Sequence, residues 1–324
     1  MLNLATDAKF IGGVVGEDRR SVELWRLSQN PIIAPDPAHP WESAAVFNAG
    51  VVQHDGLVYL LYRACERASD GSQGPYISRL GLAQSADGIH FSRLPEPVFE
   101  PQGEGERRGV EDPRMVALNG TFYALYTAFG GRHGQDYRIA LASSPDLHRW
   151  QRHGIVLDEP NKDASFFPRQ IGGWYWLLHR REPHIWIARS QDLSHWTDHR
   201  VLMETRPASW DSKKIGIAGP PVETEAGWLL IYHGVDREMV YRLGIALLDR
   251  DDPTRVRFRQ LAPILEPRLP WEISGWVPNV VFSCGQAVLN QAIYVYYAGA
   301  DRAIGVATLR LRQIQSEFAL ALEA

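Results

Sequence analysis

Residues 227–234 read GWLLIYHG, an apolar, aromatic run that stops abruptly at a histidine. Eight residues are too few for a typical globular helix, and β-formers dominate, so the run reads as a buried strand. Four more runs share its character: LVYLLYRA (57–64), TFYALYTA (121–128), GWYWLLHR (173–180) and AIYVYYAG (292–299). Tyr62, Tyr126, Leu178, Tyr232 and Tyr296 occupy equivalent places in them, so the chain is internally repetitive.

Most of these runs lead into a second kind of segment. LGLAQSADGIHF, IALASSPDLHRW, IWIARSQDLSHW and LGIALLDRDDPTRVRF each pair a strand with a polar turn around Asp and then an aromatic; IGVATL (304–309) is a clipped fifth copy. Aspartate suits such corners because its side chain bonds the backbone just ahead of it. Five copies of a roughly four-stranded unit predict an all-β, five-bladed β-propeller forming one catalytic domain over residues 1–324. A β-sandwich and a pair of β domains are the alternatives. The tail LRLRQIQSEFALALEA (309–324) turns helical in composition and predicts a short C-terminal helix.

The bulk numbers narrow the function. A net charge of −4 speaks against a nucleic-acid partner. No apolar run approaches the length of a membrane span, so no membrane partner is expected. The first residues, MLNLATDAKFIGG, lack a basic and apolar leader. Cys65 and Cys284 lie in strand-like surroundings and read as buried thiols, so a cytoplasmic protein is expected. The 11 Trp and 12 Tyr can stack on sugars or fill β cores.

Polar residues end the apolar runs: Arg63, Thr127, His179-Arg180, His233 and, after YYAGA, Asp301. In a propeller these ends converge on one axis, so they predict a polar pocket on a rigid frame. Asn48 precedes Arg63 by one strand, and there it can bridge sugar hydroxyls or shape a turn. Arg169 follows Pro168, and the pair Lys213-Lys214 precedes a stiff Gly/Pro loop. The candidates Arg63, Arg169, Lys214 and His233 outnumber the carboxylates Asp112 and Asp301. An inverting hydrolase wants two carboxylates, whereas surplus Arg and Lys suit an anion such as phosphate. No nucleotide loop of the Walker or Rossmann type occurs. No His/Cys/Asp cluster has metal spacing, so neither metal nor cofactor is expected.

The ordered motifs FNAG, YRA, GVEDPR, YTA, FPR, WDSKKIG, GPP, GWLLIYHGV, YRLG, LLDRDDP, PILEP, PNVVF and YYAGAD, from about residue 26 to 308, resemble glycoside hydrolase family 130, the β-mannoside phosphorylases, on its mannan and mannosyl-oligosaccharide branch. The resemblance implies the five-bladed propeller and reversible, inverting phosphorolysis of a β-mannosidic bond to α-mannose 1-phosphate, with inorganic phosphate as co-substrate. It implies Asp112, in EDPR, as general acid, its proton passing through a sugar hydroxyl. It implies Arg63, Arg169, Lys214, His233 and Tyr241 as phosphate ligands, and substrate contacts from Asn48, Arg114, Glu272 and Asp301. It also implies a homo-oligomer. Glu111 raises the Asp112 pKa and Arg114 lowers it, and the balance is not readable from the chain. The rivals are an inverting β-mannoside hydrolase on the same fold and a non-catalytic carbohydrate-binding propeller.

Overall fold

In the computed structural model, residues 21–66, 77–132 and 136–314 are described. They are all-β apart from short helical turns. Five antiparallel meanders follow one another along the chain. The first comprises Ala45–His54, Leu57–Cys65, Ser78–Ser85 and Ser92–Arg93. The second comprises Gly109–Leu118, Thr121–Phe129, Tyr137–Ser144 and Gln151–Leu157. A single parallel pair, Ser78 with Gly109, joins these two into one sheet. The third runs Lys162–Phe166, Tyr175–Arg181, His184–Ser190 and Thr197–Met203. The fourth runs Lys214–Ile217 with Val222–Thr224, then Gly227–Val235, Tyr241–Leu248 and Val256–Arg259.

The fifth meander has three strands from the C-terminal part of the chain, Val281–Leu289, Ala292–Gly299 and Ala303–Arg310. Its outer strand comes from the other end: Trp25 and Arg26 pair with Thr308 and Ala307. That is why IGVATL is the clipped copy. Residues 311–314 form a helical turn, and the rest of the expected tail helix, like residues 1–20, lies outside the described residues.

The predicted Asp corners are present. Asp87, Asp146 and Asp192 each accept, through Oδ1, the backbone N–H groups two and three residues ahead at 2.8–3.0 Å. These bonds satisfy turn amides that the ladders cannot reach.

Five apolar clusters fill the spaces between meanders. Leu61, Leu82 and Phe99 meet Val110 and Phe122 between the first and second. Leu125 and Leu141 meet Phe166 and Leu177 between the second and third. Leu178 and Ile187 meet Ile217 and Leu230 between the third and fourth. Ile231 and Leu243 meet Val281 and Val295 between the fourth and fifth. The last cluster joins Val51 and Leu60 of the first meander to Tyr296 and Val306 of the fifth. Each sheet is therefore apolar on both faces, which explains why its middle strands read as nearly continuous hydrophobic runs.

A repeated buried clasp holds the second strand of four meanders, in three of them directly before a site residue. Tyr62 Oη donates to Glu42, Tyr126 to Glu106, Tyr232 to Asp211 and Tyr297 to Glu272, at 2.6–3.1 Å. In three of them a tryptophan preceding the acid stacks on the tyrosine ring: Trp41, Trp210 and Trp271. The short repeats PWE, SWD and PWE (40–42, 209–211, 270–272) encode this device. It moves the fifth tyrosine of the repeat from the expected Tyr296 to Tyr297.

Candidate active site

The site begins at a bulge in the first strand of three meanders. Register slips between Phe47 and Gly50, between Glu111 and Arg114, and between Lys162 and Ser165. The residue displaced at each slip is Asn48, Asp112 or Asp163, with φ of 49°, 50° and 56°. Left-handed backbone penalises most side chains and tolerates Asn and Asp, so the bulge selects short polar residues and turns them off the ladder. In the neighbouring strand the residues across from these bulges are Arg63, Thr127 and Arg180; in the fourth meander His233 pairs with Gly216. A Cβ on Gly216 would lie 2.5 Å from His233 Cε1 and 2.6 Å from Asp163 Oδ2, so only glycine leaves these groups room.

A continuous set of contacts links these side chains. Asp112 Oδ1 accepts from Asn48 Nδ2 at 2.8 Å and Arg63 Nη1 at 3.2 Å. Arg63 Nη2 also donates to Glu111 Oε1 at 2.7 Å, and Lys162 Nζ to Glu111 Oε2 at 3.0 Å. Arg114 donates from Nη1 to the Asp112 carbonyl at 2.8 Å and from Nη2 to Asp163 Oδ1 at 3.0 Å. Asp163 Oδ2 lies 2.7 Å from Arg180 Nη1 and 3.6 Å from His233 Nε2. The His233 ring stacks with Tyr241, and Lys214 Nζ sits 5.8 Å over the Tyr241 ring. Glu182 lies 3.3 Å from Arg180 Nη2 and 3.4 Å from Lys214 Nζ.

Electrostatics follow from burial against charge. Burial pushes the Asp112 carboxyl up, but Arg63, Lys162, Arg114 and the Asn48 amide together hold it below the usual carboxylate range. The cations therefore outweigh burial at Asp112. Burial also opposes the charge of Asp163, yet the Arg180 and Arg114 guanidinium groups keep it ionised. Asp301, at φ 51°, goes the other way: burial, with Arg63 opposing and Asp112 reinforcing, lifts it to about 7. His233 is fully buried and pushed down to about 3, chiefly by burial, so it is neutral. Its two ring nitrogens, Asn48 Oδ1 and Thr127 Oγ1 are buried without a hydrogen-bond partner. Unpaired polar atoms at one centre are what a polar ligand requires.

All five meanders contribute, the fifth through Asp301 and through Phe282, which packs 4.6 Å from the His233 ring. Asn48, Arg63, Asp112, Arg114, Lys214, His233, Tyr241 and Asp301 come together here. Two expected residues do not. Arg169 forms an exposed pair with Glu223 at 2.6–2.9 Å and lies over Trp228. Trp228 is five residues along its strand from His233, ~17 Å at ~3.3 Å per residue, so the structure places Arg169 away from this centre; Arg180 brings a guanidinium to it instead. Glu272 is the acid of the fifth clasp. It accepts from Arg26 at 2.7 and 2.9 Å, from Tyr297 at 2.8 Å and from the Arg268 and Leu269 amides, so no lone pair is left for a substrate. Lys162 and Asp163 were missed, although KDAS repeats the pattern of FNAG and EDPR. Asp36, His39 and Glu42 form the one potential metal-ligand group among the described residues, and Glu42 is engaged there by Tyr62 and Arg93.

The family model described as beta-1,4-mannooligosaccharide phosphorylase matches residues 23–317. The chain belongs to glycoside hydrolase family 130. Within the family it is 53% identical over 294 residues to the 1,2-beta-oligomannan phosphorylase of Thermoanaerobacter sp. (strain X514), covering 91% of this chain and 99% of that one. Among solved structures, the beta-1,2-mannobiose phosphorylase of Listeria innocua in complex with beta-1,2-mannobiose superposes with a TM-score of 0.84 at 29% identity, over 92% and 99% of the two chains. A further structure, described with family 130 glycoside hydrolases that target beta-1,2 mannosidic linkages in Candida mannan, gives 0.82 at 30%, over 93% and 97%.

Proposed function

We propose that this chain is an inverting phosphorylase that cleaves β-1,2-linked oligomannosides with inorganic phosphate, releasing α-mannose 1-phosphate. The observation that carries it is the grouping of Arg180, Lys214 and neutral His233 around one buried centre with Asp112. A hydrolase on this frame would need a second carboxylate to activate water. Glu111 is occupied by Arg63 and Lys162 and Asp163 by Arg114 and Arg180, while Asp301, lifted to about 7, is only about half ionised near neutrality. Phosphate brings its own nucleophilic oxygen and needs no base. The β-1,2 linkage follows the 53% identical relative rather than the family description.

Arg180 and Lys214 hold phosphate on one face of the mannosyl ring, and the neutral His233 ring donates one N–H or accepts one P–OH. Asp112 works on the other face as general acid toward the glycosidic oxygen. It is ionised without phosphate, because its cationic neighbours outweigh burial. An arriving anion offsets those cations and raises the Asp112 pKa, so proton loading is coupled to phosphate binding. The Asp301 carboxyl, with its pKa lifted to about 7, shares the centre, and Asn48 fixes the Asp112 rotamer. No further cofactor enters the chemistry.

We also infer that the five meanders are the blades of a five-bladed β-propeller. Five interblade cores support this, the last joining the fifth meander to the first, as does the pairing of Trp25–Arg26 with the final strand. A cytoplasmic setting is supported by the unpaired, buried Cys65 and Cys284.

The test is incubation with β-1,2- and β-1,4-mannobiose, with and without phosphate. α-Mannose 1-phosphate forming only with phosphate, and faster from the β-1,2 sugar, is the expected result. Free mannose at equal rates in both conditions would make the protein a hydrolase, and binding without turnover would make it a lectin.

A further inference from the structure

Two cationic donors of the site, Arg180 Nη2 and Lys214 Nζ, are not engaged by Asp163, Glu111 or Asp112. Arg180 Nη1 is already committed to Asp163, and Arg63 and Lys162 are committed to Glu111 and Asp112. Both donors are met by a single carboxylate. Glu182 Oε1 lies 3.3 Å from Arg180 Nη2 and 3.4 Å from Lys214 Nζ. The Arg180 and Lys214 side chains are 8% and 19% exposed, whereas that of Glu182 is 51% exposed.

Glu182 sits at the tip of the hairpin between Tyr175–Arg181 and His184–Ser190. Its backbone is tied down: Ile215 N donates to Pro183 O at 2.9 Å, next to Lys214, and Arg181 pairs with His184. The side chain can therefore swing into solvent without moving the frame. Two long, half-open ion pairs hold it, and such pairs are weak.

We propose that Glu182 is an internal competitor for phosphate: its carboxylate takes the donors of Arg180 and Lys214 and is displaced when phosphate binds. The inference rests on the phosphorylase reading for its kinetic consequence, but its binding consequence stands alone. A carboxylate screens the two cations between turnovers. An anion with one charge and few acceptors gains little by replacing it; phosphate, with more charge and more oxygens, gains more. The same competition weakens the hold on the sugar phosphate and favours its release.

The experiment compares wild type with Glu182→Gln and Glu182→Ala. Inorganic phosphate is titrated calorimetrically into each protein without glycan, and KM for phosphate and for β-1,2-mannobiose is then measured. Both variants are expected to bind phosphate about three- to tenfold more tightly, with KM for phosphate falling in step and KM for the mannoside changing less than twofold. Weaker or unchanged phosphate binding would show that Glu182 orients Arg180 and Lys214, and would overturn the proposal. So would phosphate-independent mannose release that is lost in Glu182→Gln, which would make Glu182 a base for water. If phosphate binding tightens as expected but no sugar phosphate is formed by any of the proteins, the phosphorylase reading fails while the competition stands.

Discussion

Arg63 Nη1 reaches Asp112 Oδ1 across 3.2 Å, from the second strand of one meander to the bulge of the next. The contact ties the acid of one meander to a cation of its neighbour, so the charge of Asp112 is set by packing between meanders. Asp112→Asn keeps the acceptor for Arg63 and removes the titrating proton. Turnover of β-1,2-mannobiose should fall by about 10²–10⁴-fold, the usual contribution of a general acid. Activity within tenfold of wild type would remove Asp112 from that role.

Lys214 and Arg169 separate the site from its surroundings. Lys214→Ala should raise KM for phosphate by about tenfold or more, as expected for one charge-assisted contact, and KM for the mannoside far less. Arg169→Ala should leave both constants within twofold, since its partners are Glu223 and Trp228. Initial-rate kinetics with each substrate varied in turn gives the comparison. A rise in phosphate KM for the Arg169 variant would return that residue to the site.

Asp301 predicts a pH-dependent stability difference. Its folded pKa, about 7, lies above the unfolded carboxylate value of 3.8. A carboxyl raised in this way favours the fold while protonated, fully so below ~3.8, and that contribution is lost as pH rises through about 7. Asp301→Asn carries no such proton. Its stability relative to wild type should therefore increase between pH 5 and pH 8, by an amount on the order of a few kcal/mol. Urea unfolding at the two pH values measures it; a constant difference would mean that Asp301 is ionised in the fold.

Glu272 should be a stability residue. Glu272→Gln leaves Arg26 and Tyr297 facing a neutral amide inside the fifth sheet, and breaking a buried pair costs about 3 kcal/mol. The midpoint of thermal unfolding should drop by several degrees. An unchanged midpoint combined with a raised KM for the mannoside would restore the substrate-binding assignment.

Much of the site is written locally. The bulge needs a left-handed residue, so FNAG and EDPR advertise Asn48 and Asp112, and the strand ends advertise Arg63 and His233 by closing apolar runs with a polar group. Asp163 carries the same signal in KDAS, and aligning the first strand of each repeat exposes it. Arg180 was visible as a strand-end residue, but its role was not, because its partner Asp163 lies 17 positions away and meets it only through strand register. Arg169 and Glu272 show the same limit in reverse: each stands near the quoted motifs, but its side chain is spent on Glu223 or on Arg26 and Tyr297.

The sequence by itself determined the strand runs, the Asp corners, the fivefold repetition and the family, because these depend on short-range periodicity and backbone preference. Only the tertiary structure decided which cations share a centre, that the Asp112 pKa is held down while that of Asp301 is raised, and that Glu182 lies across Arg180 and Lys214. Those outcomes depend on contacts of about 3 Å between residues far apart along the chain and on how far each group is buried. Neither quantity is a property of any one stretch of chain.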